Sequence, residues 1–150
     1  MQASLFDSNV WVAVTFTGHS FHLQAKAALL ETEPAHPVHV PRAVEQSWLR
    51  LITTHAVQKS SGSPPLTNAD AIATFRFWLT NPRVRSISEE PPATRELWLR
   101  LASRETSSPK LWMDAYLAAF AISGNLRLVT FDNDFRQFET HGLHLHLLPP

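Results

Sequence analysis

Asp7, Glu45, Asp114 and Asp132 are four acids, far apart in the chain, whose surroundings suggest work for a carboxylate. Asp7 directly follows the apolar Leu5-Phe6, and Asp132 follows Leu128-Val129-Thr130-Phe131. If both runs are strands of one parallel sheet, the two acids project from the same edge, where open α/β sheets keep their ligand crevice. Either one alone could be a turn-forming or helix-capping Asp. Asp114 is followed at helical spacing by Leu117, Ala118, Ala121 and Ile122, so its carboxylate lies on a buried face. Buried charges need a partner or a metal, although a first-turn Asp favoured by the helix dipole fits the same residues. Glu45 lies at the edge of an apolar helical stripe and would pass for a surface glutamate. The chain has only five aspartates, and Asp134 stands two residues beyond Asp132.

Hard divalent cations take oxygen ligands, and Mg²⁺ keeps several waters while binding a few carboxylates and substrate phosphates. Four converging acids meet that requirement. Without a cation such a cluster would repel itself and raise its own pKa values.

The elements that must position these acids read as alternating strands and helices. Ser4 to Phe6 ends a short strand, and Asp7-Ser8-Asn9 has turn chemistry. A helix is expected over Ser20 to Glu33, stopped by Pro34 and Pro37, then a strand over Val38 to Val40 and a helix from Pro41 to Thr54. Ser60 to Pro65 is a loop, and Thr67 or Asn68 caps a helix to Thr80. A strand follows over Arg83 to Ile87, then helices from Ala93 to Ser103 and Lys110 to Ser123, the latter closed by Gly124-Asn125 as a left-handed stop. Leu126 to Thr130 is a strand, Asp134 to Phe138 a short helix with Asp134 as its cap, and Leu143 to Leu148 a terminal strand. The pattern predicts one α/β domain over residues 1 to 150, with a central, mostly parallel sheet of four to five short strands.

Bulk properties agree with one compact domain: 150 residues, 44% apolar. Net charge is zero, so no global field attracts a polyanion, but the basic residues are ten Arg to three Lys, and Arg grips phosphates bidentately. Arg42, Arg50 and Lys110, all near a candidate acid in sequence, are candidate phosphate contacts; solvated helix charge is the plain alternative. The absence of Cys excludes disulfides, thiolate zinc sites and a Cys nucleophile. No signal sequence or membrane-length apolar run is present, which predicts a cytoplasmic protein without membrane contact. His144 and His146 share one strand face but lack a third ligand for a transition metal. The five tryptophans read mainly as core, with Trp11 and Trp48, near Asp7 and Glu45, the two to consider for contacts with partners.

Four segments, LFDSNVWVA (5–13), PRAVEQSWLRLIT (41–53), DAYLAAFAI (114–122) and LVTFDNDFRQF (128–138), resemble in type, order and spacing those of PIN-domain nucleases, specifically the VapC-type toxins of bacterial toxin–antitoxin pairs. The resemblance implies an α/β/α sandwich and assigns Asp7, Glu45, Asp114 and Asp132 as the acids of a magnesium site, with Mn²⁺ as a substitute. Asn9 and Thr130 match positions that support those acids, and Asp134 is the rival for the fourth place. It further implies an endoribonuclease that hydrolyses phosphodiesters with metal-activated water, a VapB-type antitoxin partner, and a homodimer or higher toxin–antitoxin assembly. The competing expectation is a catalytically silent PIN-fold module that binds RNA or an antitoxin. A receiver-like phosphotransfer domain is disfavoured, because no Lys follows the strand that ends at Thr130.

Overall fold

The structure is a computed structural model describing residues 1–150. Its strands are β1 (Ser4–Phe6), β2 (Val38–Pro41), β3 (Val84–Ile87), β4 (Arg127–Thr130) and β5 (His144–Leu147). They form one sheet in the order β3-β2-β1-β4-β5, parallel throughout, with Leu5 opposite His39 on one side and Leu128 on the other. Parallel strands need helical crossovers. These are α1 (Ser8–Thr15), α2 (His22–Leu30), α3 (Arg42–Ile52), α4 (His55–Ser60), α5 (Asn68–Leu79), α6 (Thr94–Ala102) and α7 (Leu111–Ser123), with a 3₁₀ helix (Asn133–His141) before β5.

The chain moves from β1 to β2 to β3 in one direction, then crosses back to β4 on the far side of β1. Right-handed crossovers therefore put α6 and α7 on the opposite face from α1 to α5, which gives the expected sandwich. The β1/β4 boundary is the point where strand order reverses, so the carboxyl ends of these two strands open a crevice there.

Two helices go beyond the sequence reading. Helix α1 begins where turn chemistry was expected, because Asp7 is its N-cap. Its residues Val10 to Val14 are all buried between the sheet, α2 and α3, so no polar face marks a helical period. The short α4 falls before the predicted Ser60 loop and buries only Gln58, whose amide donates to the Ile52 carbonyl at 2.9 Å. The left-handed residue after α7 is Asn125 (φ 52°), whereas Gly124 sits at φ −92°. The 3₁₀ helix is also longer than the expected Asp134 to Phe138.

Trp11 and Trp48 are fully buried and stack at 4.5 Å across α1 and α3. The Trp48 indole donates to Thr15 Oγ1 at 2.9 Å, and that hydroxyl donates to the Trp11 carbonyl at 2.7 Å. They are core, as the main reading of the tryptophans expected, and the alternative of partner contacts for this pair is ruled out. The exposed tryptophan is Trp112, at 54%. No helix is long and apolar enough to cross a membrane.

Candidate active site

Thr130, the last residue of β4, organises the crevice. Its side chain is completely buried, and its hydroxyl donates to Asp7 Oδ2 at 2.9 Å while accepting from the Asp132 backbone N–H at 3.0 Å. Asn9 Nδ2 approaches the same hydroxyl at 3.4 Å, a weak contact. The other Asp7 oxygen, Oδ1, accepts from the Ser8 N–H at 2.7 Å, the bond that caps α1. Strand β4 thereby fixes the acid at the end of β1; of the two supporting residues expected from the sequence, Thr130 touches Asp7 and the Asp132 backbone directly, whereas Asn9 reaches only Thr130. Asp132 Oδ1 accepts from the Asp134 N–H at 2.9 Å, so Asp132 is the cap of the 3₁₀ helix, the role expected of Asp134.

Asp114 lies in the first turn of α7 and also on its inward side, with Leu117, Ala118 and Ala121 buried below it. The two readings of this residue are thus compatible. Helix α7 feeds β4, so its N-terminus lies at the carboxyl edge of the sheet with Asp7 and Asp132. Burial, followed by the charges of Asp7, Asp132 and Asp134, pushes the Asp114 pKa up to about 6. Burial also raises the Asp7 pKa, with a contribution from Asp132, even though the bonds from Thr130 and Ser8 pull it down. The mutual repulsion expected of such a cluster is present, and Asp134 shares in it.

Glu45 is held differently. It is 4% exposed, with Oε2 accepting from Arg42 at 3.0 Å and Oε1 from the Ser86 hydroxyl at 2.6 Å. The charges that raise Asp7 and Asp114 do not include it. Arg42 is therefore engaged with Glu45, though its side chain remains 67% exposed. Lys110 is exposed at the N-cap of α7, on the side of the crevice. Arg50 is not brought there: it lies about 12 Å along α3 from Arg42, lining a groove with Leu49, Thr53, Asn68 and Ile72. Ser86 was missed by the sequence reading, which considered acids, cations, Asn9 and Thr130 for the site; it lies in β3 opposite Val40, a register that the sequence does not show.

No three acidic or histidine side chains close into a ready cage for a metal ion. The donor set nevertheless suits a hard cation. It consists of carboxylate oxygens that repel one another, joined by the buried and unpartnered Asn9 Oδ1, which is free to accept from a water. Mg²⁺ tolerates a loose set because it retains waters.

The PIN domain family model matches residues 4–140. This chain belongs to the PIN-domain family. Among PIN-domain proteins, Ribonuclease VapC41 of Mycobacterium tuberculosis is 41% identical to it over 144 residues, covering 96% of this chain and 97% of the relative. Ribonuclease VapC33 of the same organism is 29% identical over 133 residues, covering 88% and 90%. The chain is thus a VapC-type PIN-domain protein. Two solved structures share the PIN fold. The Mycobacterium tuberculosis VapC20, a sarcin–ricin loop cleaving toxin, superposes with a TM-score of 0.64 at 17% identity, over 98% of this chain and 100% of that one. VapBC2 of Rickettsia felis, bound to a DNA fragment from the promoter of the pair, gives 0.62 at 14% identity, over 99% and 100%.

Proposed function

We propose that this VapC-type PIN-domain protein is a magnesium-dependent endoribonuclease acting as the toxin of a toxin–antitoxin pair. The observation that carries the reading is the electrostatic frustration at the β1/β4 switch point, where burial first, and then the charges of Asp7, Asp132 and Asp134, push the Asp114 pKa up to about 6. Folding retains such a cluster at a cost unless a ligand relieves it. Asp7, Asp114 and Asp132 would hold Mg²⁺ or Mn²⁺, with Asp134 sharing a position and Glu45 completing the acidic set. A bound divalent cation would supply positive charge to polarise the phosphodiester and to favour attack by water. The reaction is in-line hydrolysis: water adds to phosphorus, the P–O3′ bond breaks, and the products are a 5′-phosphate and a 3′-hydroxyl. Thr130 and the Ser8 N–H lock the Asp7 carboxylate in one orientation, so its geometry is set before substrate arrives. The antitoxin partner and a homodimeric or higher toxin–antitoxin assembly are part of the same proposal and rest on kinship with the VapC proteins.

The direct trial is RNA incubated with purified protein in Mg²⁺ and then in chelator. Cleavage in Mg²⁺ alone supports the reading, while undiminished cleavage in chelator, or none in either, refutes it. Growth arrest on expression that persists in an Asp114→Asn variant would favour the silent binding module instead.

Thr130→Val preserves shape but removes the hydroxyl that Asp7 Oδ2 and the Asp132 N–H both use. A lost charge-assisted hydrogen bond of about 1.5–3 kcal/mol should lower kcat/KM roughly 10- to 100-fold, measured by steady-state cleavage, with Thr130→Ser recovering most of it. Phosphate contacts are separable by salt. Arg42→Ala and Lys110→Ala should each reduce the slope of log K against log salt for RNA binding by about one. Arg50→Ala, remote from the crevice, should leave that slope unchanged.

A further inference from the structure

Beside the acidic crevice the first turns of α3 and α7 enclose a shallow cavity of about 380 Å³, lined by Ala43, Trp98, Pro109, Trp112, Met113 and Tyr116. We infer that this aromatic cleft receives an unstacked base of single-stranded RNA flanking the cleaved phosphate, with Trp112 as the stacking platform. The inference deepens the proposed ribonuclease function and rests on it for the position of the scissile bond.

The cleft is built rather than incidental. Trp98 meets Trp112 edge-on, with ring centres 6.2 Å apart at 73°, and meets Tyr116 at 5.7 Å and 89°. The Trp98 indole N–H donates to the Trp112 carbonyl at 2.9 Å, and the Tyr116 hydroxyl donates to Glu90. The polar handles of these two supporting rings are occupied within the protein. That fixes them in place, whereas the Trp112 ring, at 54%, and Met113, at 43%, remain exposed. An exposed indole braced edge-on by Trp98, which Tyr116 backs in turn, offers a flat apolar face to a planar ligand.

Charge selects the kind of ligand. Lys110 stands two residues before Trp112 at the N-terminal end of α7, next to Pro109 of the cleft, and Arg42 adjoins Ala43 on the other wall. Both cations are exposed, Arg42 while also paired with Glu45, and the N-terminal end of α7 also favours an anion. Aromatic faces flanked by cations fit a strand whose bases stack while its phosphates are neutralised. Trp112 and Asp114 lie about 200° apart around α7, with Met113 between them. A strand crossing the first turn of α7 would therefore touch the platform on one side and the carboxylate on the other. A protein partner burying the same apolar face is the alternative occupant.

Two substrates and two variants test this. In steady-state cleavage of single-stranded RNA in Mg²⁺, Trp112→Ala should raise KM about 10-fold with kcat little changed, and Trp112→Phe should restore most of the loss. In tryptophan fluorescence without divalent ions, oligoadenylate should quench wild-type emission, but an abasic ribose–phosphate strand of the same length should not. The quench should vanish in Trp112→Ala. Thermal unfolding of both variants identifies a folding failure, in which case Trp112→Phe and the abasic comparison decide. Unchanged KM and quenching in a folded Trp112→Ala overturn the inference, as does a variant that binds RNA normally but alters oligomeric state. A wild-type protein that is quenched by oligoadenylate through Trp112 but cuts no RNA would refute the ribonuclease reading and leave the base platform standing.

Discussion

Asp7→Asn should fold normally and cut RNA at a rate lower by a factor on the order of 10³. The carboxylate is 9% exposed, and its two oxygens are committed to the Ser8 N–H and the Thr130 hydroxyl. Asn has the same shape, and its carbonyl can keep the Ser8 bond. Its NH₂ group must then face Thr130 Oγ1, which can accept, but which already accepts from the Asp132 N–H. One hydrogen bond is therefore rearranged rather than lost. Against that cost stands a gain, because burial disfavours the charge on Asp7 and the neighbouring Asp132 adds to the penalty. Neutral Asn escapes both. Without divalent ions the variant should melt at the same temperature as the wild type or slightly higher, which removes misfolding as an explanation for lost activity. Asp70→Asn is the control: Asp70 is an exposed member of the α5 capping box, with Thr67 as the other. It should keep full activity. Retention of the wild-type rate by Asp7→Asn would dismiss Asp7 from the site; a single-turnover assay with a thermal melt measures both quantities.

The order of elements was legible because each strand is short, because Pro, Gly or Asn lies close to the ends of β2 to β5, and because Asp7 and Asp132 close two strands that turn out to be neighbours. The sequence reading took parallel pairing of β1 and β4 as a condition for bringing those two acids together, and the sheet meets it. Helix α1 was not, since a segment buried on every side (Val10 to Val14) carries no amphipathic period, and its valines suit a strand equally well. Trp11 and Trp48 were rightly read as core, but singling them out for partner contacts failed for a related reason: proximity in sequence to an acid says nothing about which way an indole points. Glu45 shows the same limit from the other side. Its position in the chain matched the family, but only coordinates reveal that Arg42 and Ser86 already occupy its oxygens. Ser86 comes from a strand whose residues are mostly exposed, so no burial pattern singled it out.

The second large effect is a reversal of pH dependence by the divalent ion. Asp114 has a folded-state pKa of about 6 against an unbound reference of 3.8, and that of Asp7 is raised in the same direction. The folded chain therefore holds protons that the unfolded chain releases between those values. Stability of the ion-free protein falls as pH rises through this window, and the deficit persists above it. Asp70 shifts the other way, and its contribution is lost only as pH falls below 3.8, so the two effects occupy separate ranges. On the proposed assignment Mg²⁺ would bind the deprotonated acids, so it should stabilise strongly near pH 7.5 and hardly at all near pH 5, where protons compete for the same oxygens. Melting temperatures in chelator should decline from pH 5 to pH 7.5, and added Mg²⁺ should flatten or invert that decline. Cleavage should fall roughly tenfold for each unit below about pH 6 at limiting Mg²⁺, and chelator should abolish it at every pH. An Mg²⁺-induced shift of equal size at both ends of the range would mean that the ion binds elsewhere. In that event the repulsion among Asp7, Asp114, Asp132 and Asp134 would need another source of relief, for which the cations beside the crevice, Lys110 and Arg42, are the residues to vary first.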